Sequence, residues 1–82
     1  MPGSFQTEAY FDPETILILS LALDDAWSRI ENSGSTFSRP FYARAVREVL
    51  AHRIIEMAQA GETDVHRLSD DAVRFLAENY IQ

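Results

Sequence analysis

Asp12-Pro13-Glu14-Thr15-Ile16-Leu17-Ile18-Leu19-Ser20-Leu21-Ala22-Leu23-Asp24-Asp25-Ala26-Trp27 carries every local signal of a helix start followed by helical periodicity. Asp12 is a good N-cap, because its carboxylate can accept from an otherwise unpaired amide of the first turn. Pro13 suits the first helical position, where its fixed φ helps and its missing N–H costs nothing, and Glu14 adds an anion where the helix dipole favours one. Beyond it, Ile16, Leu19, Leu23, Ala26, Trp27 and Ile30 recur at three- and four-residue spacing and predict one apolar stripe. Asn32-Ser33-Gly34 supplies the stop, so the spacing predicts a helix over about 13–32.

Two further segments repeat the pattern. After a short polar loop broken by Phe37, Ser38 is the expected cap and Pro40 falls in the first turn of a second helix over about 39–60. Its stripe is Ala43, Val46, Leu50, Ile54 and Met57, widened by Tyr42 and Val49, with Arg44, Glu48, His52, Glu56 and Gln59 opposite. Gly61 is the expected left-handed terminator. Asp64 can cap a third helix over about 65–80 that carries Val65, Leu68, Ala72, Phe75, Leu76 and Tyr80 on one face. Ser69-Asp70-Asp71 can equally cap a fresh start, which leaves one helix, or a turn followed by a helix, both open. No stretch alternates apolar and polar residues over five positions, so no strand is expected. The fold class that follows is all-α, a small bundle of three main helices. Residues 1–10 form an N-terminal tail and residues 11–82 a single helical domain.

The chain has 82 residues, a size at which folding buries only about 60 to 65% of the unfolded chain's surface and help from a partner subunit is useful. With 46% hydrophobic and 24% charged residues it is an ordinary globular chain. The absence of cysteine removes disulfides, thiolate metal sites and thiol nucleophiles. Met1-Pro2-Gly3-Ser4-Phe5 lacks the charged start of a signal peptide, and the longest apolar run, Ile16 to Leu23, falls far short of the roughly 20 residues of a membrane span. A cytoplasmic setting with no membrane contact is therefore expected. The net charge is −6, distributed as an acidic 12–37, a basic 38–60 and an acidic 61–82. Such a chain is repelled by duplex nucleic acid unless its cations cluster.

Phe11-Asp12-Pro13-Glu14-Thr15, Leu23-Asp24-Asp25-Ala26-Trp27, Leu50-Ala51-His52-Arg53-Ile54-Ile55, Ala60-Gly61-Glu62-Thr63-Asp64 and Arg67-Leu68 together resemble a group of short uncharacterised bacterial proteins. That group opens with an FDPET-type helix start, keeps an LD-x-AW segment, and later shows an LAERI-like helix with a GE-x-D turn. The resemblance covers about residues 11–68 and implies no activity, since the group has no assigned reaction or ligand. The chain departs from it in Val65, where a proline often follows the aspartate, and in extensions at both ends.

Chemistry-bearing constellations are weak. His52 with Glu48 and Glu56 shares a helix face, but structural and catalytic zinc sites generally use more His or Cys than the two histidines present. His66 near Asp70 and Asp71 is a second acid–His group at suitable spacing, and reads just as readily as a first-turn surface patch favoured by the helix dipole. Asp24 and Asp25 are adjacent on a helix and point about 100° apart, so they do not face each other as a catalytic carboxylate pair. The sequence has no Gly-rich phosphate loop and no nucleophile elbow. No catalytic residue, metal ligand or cofactor is expected.

Arg53 falls at the edge of the second apolar stripe, where its charge needs an acceptor, and a buried ion pair with an acidic side chain of the first or third helix is expected, the alternative being capture of an anionic ligand. Leu17, Ile18 and Leu21 fall opposite the first helix's main stripe, and Ile55 lies on the polar side of the second. Either the tail aromatics Phe5, Tyr10 and Phe11 fold over this surplus or a second copy of the chain covers it. Small size and spare apolar surface favour a homodimer, with Leu17, Ile18, Leu21 and Ile55 at the contact. The expected function is a non-enzymatic protein–protein interaction module that self-associates and docks an unidentified protein partner. The alternative is a nucleic-acid-associated, helix-turn-helix-like regulator, disfavoured because its last helix offers Arg74 against Asp70, Asp71 and Glu78.

Overall fold

Asp12 caps the first helix through its side chain. Its Oδ1 accepts from the Thr15 amide at 2.7 Å, and this bond holds the carboxyl below the ordinary carboxylate range. The computed structural model describes residues 12–80. Helix α1 (Pro13–Asn32) is followed by a single 3-10 turn (Thr36–Ser38), then by α2 (Pro40–Gln59) and α3 (Val65–Tyr80). Each helix packs against the other two, giving a three-helix bundle without a strand among the described residues.

The helix ends follow the glycine signals. Gly34 takes φ +70° after α1 and Gly61 takes φ +110° after α2, both in the region that penalises a Cβ. At the second end, Gly61 N–H donates to the Ala58 carbonyl at 3.0 Å and Glu62 N–H to that of Met57 at 3.0 Å, pairing carbonyls the helix leaves unpaired. The start of α2 differs from expectation. Ser38 is not the cap, because its hydroxyl donates to the Ser35 carbonyl at 2.7 Å within the 3-10 turn. Ser35 instead caps that turn by accepting from the Phe37 amide, and Arg39 occupies the N-cap position of α2 without a side-chain bond. Pro40 tolerates this, since it is one of the four first-turn residues and has no N–H to pair. Residues 65–80 form one helix, its start fixed by Asp64, whose Oδ1 accepts from the His66 amide at 3.1 Å.

Each helix buries three aliphatic side chains at four-residue spacing: Ala22, Ala26 and Ile30; Val46, Leu50 and Ile54; Leu68, Ala72 and Leu76. Three of these nine are alanines, which let the helix axes approach closely. The core line of α1 is therefore rotated from the expected stripe. Leu19, Leu23 and Trp27 pack on its flank, partly buried, while Ile16 stays 52% exposed. Trp27 carries the Arg47 guanidinium over its ring, 5.5 Å from the centroid. No helix among the described residues is long and apolar enough to cross a membrane.

Candidate functional site

The four residues expected at a dimer contact separate into two groups. Leu17 and Leu21 lie one turn apart on the side of α1 turned away from the core and remain 58% and 48% exposed. Ile18 does not share that face. It sits seven residues before Asp25, on the side of α1 that meets α3, and packs partly buried against the core. The expectation placed it wrongly because the core line runs through Ala22 and Ala26 rather than Leu23 and Trp27. Ile55, 37% exposed, comes next to α1 and borders a shallow depression of about 180 Å³ with Leu19, Leu23 and Ala51. Ile16 is exposed on the same half of α1. The aliphatic surface thus wraps the N-terminal half of α1 and is flanked by the exposed carboxylates of Glu14 and Asp24. Phe5, Tyr10 and Phe11, the alternative cover, lie outside the described residues.

Arg53 reaches across to α3. Its Nε donates to Asp71 Oδ2 at 2.7 Å and its Nη2 to Asp71 Oδ1 at 3.3 Å, while Nη1 lies 3.5 Å from Glu56 Oε1. The Asp71 bond pushes the guanidinium pKa further up. The pair is not fully buried, as the two side chains keep 28% and 26% of their exposure. The flat guanidinium covers the Phe75 ring at 4.7 Å, so packing and charge are satisfied together.

Around this pair α2 and α3 leave a groove that the sequence did not announce. Its larger basin, about 480 Å³, lies between Glu48, His52 and Glu56 on one side and Phe75 and Tyr80 on the other, with Ala45 and Val49 beneath. A second basin of about 260 Å³ shares Ala45, Val49 and Tyr80 and continues to Phe37 and Tyr42. Phe41 extends the aromatic surface at that end, edge-on to Tyr42 at 5.1 Å between ring centroids and 87% exposed. Trp27 is the one described aromatic residue outside this region. The available signal was the width of the two stripes: Tyr42 and Val49 on α2, and Phe75 and Tyr80 on α3, exceed what one three-helix core can bury.

A polar cluster joins α1 to α3. Arg29 spans from Asp25 (Nε–Oδ2 3.1 Å) to Asp70 (Nη1–Oδ1 2.7 Å). Ser69 is wholly buried, and its Oγ and Asp25 Oδ2 are the two buried side-chain atoms among the described residues without a well-aligned hydrogen bond. They are neighbours. Turning the Ser69 hydroxyl onto the carboxylate satisfies both and holds Asp25 below the ordinary carboxylate range, with Arg29 and His66 adding to the effect. Both arginines of α3 also meet carboxylates: Arg67 lies 3.9 Å from Asp64 and Arg74 lies 3.7 Å from Asp70. Among the described residues no group of three or more His, Asp or Glu side chains is placed to hold a metal ion. No protein-family model, curated protein or solved structure matches the chain.

Proposed function

We propose that the chain is a non-enzymatic protein–protein interaction module that self-associates through the outward face of α1. The observation that carries this reading is the pair Leu17 and Leu21, about half exposed on a face that no described element covers, with Ile16 and Ile55 beside it. Aliphatic surface gathered on one helix half is costly to leave in water and stabilises a contact when a second copy removes it. Heteronuclear NMR spectra recorded over a concentration series test the reading. Concentration-dependent shifts at Leu17, Leu21 and Ile55, with the core unmoved, support it, and spectra independent of concentration overturn it.

A second reading is a nucleic-acid-associated regulator. Arg39, Arg44 and Arg47, in the first half of α2 and at its N-cap, have no described carboxylate within ion-pair distance, which favours it. Three such cations, one of them held over Trp27, neutralise few phosphates, however, and the arginines of α3 are already matched by acids. A salt-sensitive mobility shift of duplex DNA at micromolar protein would promote this reading over the first.

A further inference from the structure

We infer that the α2–α3 groove is the docking site for a basic amphipathic helix of a partner protein. This goes beyond self-association, because it uses the opposite side of the bundle from Leu17 and Leu21. Three observations support it. First, the groove is continuous: its two basins share Ala45, Val49 and Tyr80 and run along α2 from Tyr42 to Glu56. At 1.5 Å per residue that is about 21 Å, the length of a helix of roughly 14 residues. Second, its floor suits helix packing. Ala45 and Val49 let a backbone approach, and Phe37, Tyr42, Phe75 and Tyr80 offer the aromatic walls on which docked side chains bury most surface. A helix seated there turns the three-helix bundle locally into a four-helix one.

Third, charge selects the occupant. Among the described residues Arg53 is the one cation lining the groove, and Asp71 and Glu56 already answer it. Glu48 has no described cation within ion-pair distance, and although Arg44 stands one turn before it on the same helix face, it does not line the groove, whose own rim therefore keeps an excess of negative charge. Lysine or arginine on the flanks of the incoming helix meets Glu48 and Glu56. The exposed apolar face of α1 from a second copy is disfavoured here, because it would bring Glu14 and Asp24 against the same carboxylates.

The test uses the full chain and three synthetic peptides of about 15 residues. One carries leucines at i, i+4, i+7 and i+11 with lysines elsewhere; one replaces each lysine by glutamate; one scrambles the first. Binding is followed by amide chemical shifts. The lysine peptide is expected to give saturable shifts confined to the groove, around Ala45, Val49, Phe75 and Tyr80. Ala45→Arg, which fills the floor, and a Glu48→Lys, Glu56→Lys variant are each expected to weaken binding by about tenfold or more. A Leu17→Glu, Leu21→Glu variant should bind unchanged, which keeps this outcome separate from self-association. The proposal is overturned by shifts centred elsewhere, by equal binding of the glutamate or scrambled peptide, or by no binding up to about 1 mM. It is also overturned if groove shifts arise on concentrating the protein alone, which assigns the groove to a second copy. Peptide binding that appears only after Phe5→Ala, Tyr10→Ala and Phe11→Ala overturns it too, assigning the groove to the chain's own first segment.

Discussion

Arg53 and Asp71 form a two-pronged ion pair between α2 and α3, with contacts of 2.7 and 3.3 Å, and the same guanidinium lies 4.7 Å from the centre of the Phe75 ring. A fork of donors matched to a carboxylate fixes orientation as well as distance, so the pair holds the two side chains in place at the edge of the groove. Its partial exposure limits its energetic weight, since water screens what it reaches.

A double-mutant cycle on Arg53→Ala and Asp71→Ala is expected to give a coupling of about 1 kcal/mol by urea denaturation. Arg53→Lys should recover less than half of it, because an ammonium keeps the charge but neither the fork nor the stack on Phe75. Full recovery by lysine would show that only charge matters at this site.

Leu50→Ala should cost roughly 2 to 5 kcal/mol, because Leu50 is wholly buried at the centre of the α2 row. Leu17→Ser should change the stability of the dilute protein by about 0.5 kcal/mol or less, as its side chain is more than half in water. Thermal or chemical denaturation compares the two, and equal losses would refute the assignment of core and outer face.

Ser69→Ala should raise the titration of Asp25 toward the ordinary carboxylate value, read from the carboxyl carbon shift. A carboxyl depressed in the folded state contributes stability that is present above its unfolded value and is lost as pH falls through the folded value. The wild-type chain is therefore expected to lose stability on acidification below the unfolded aspartate range, and the variant to lose less over that window. An unchanged Asp25 titration would remove Ser69 from the account.

Gly34→Ala is expected to destabilise the fold by about 1 kcal/mol. Nothing lies within 4 Å of an added Cβ there, so the cost comes from the +70° φ alone. A neutral substitution, measured by denaturation, would mean that the backbone at this turn relaxes freely.

The helices were legible because their ends are chemically marked: Asp12-Pro13 opens α1, Gly34 and Gly61 close α1 and α2, and Asp64 opens α3. Which side of each helix points inward was less so. Periodicity weights large residues, whereas α1 sets its core line through Ala22 and Ala26, and this moved Ile18 to the packed side and Ile16 outward. The capping of α2 was missed because Ser38 is a good cap in isolation, and only the 3-10 turn, which draws its hydroxyl onto the Ser35 carbonyl, leaves the N-cap position to Arg39. Ser69 read only as a candidate cap within Ser69-Asp70-Asp71, since its burial inside α3 depends on where Asp25 arrives from another helix. The groove is likewise a property of two helices together. Only the excess width of their apolar stripes, at Tyr42, Val49 and Tyr80, pointed toward it.

Self-association through α1 is tested most directly by sedimentation of the full chain over a range of concentrations, beside a Leu17→Glu, Leu21→Glu variant. The account predicts a wild-type mass that rises from monomer toward dimer with concentration. It also predicts an association that tightens at higher ionic strength, because salt screens Glu14 and Asp24 around the contact, and a variant that stays monomeric throughout. A monomeric mass for the wild-type chain at every concentration, or a dimer that the variant retains, would contradict it.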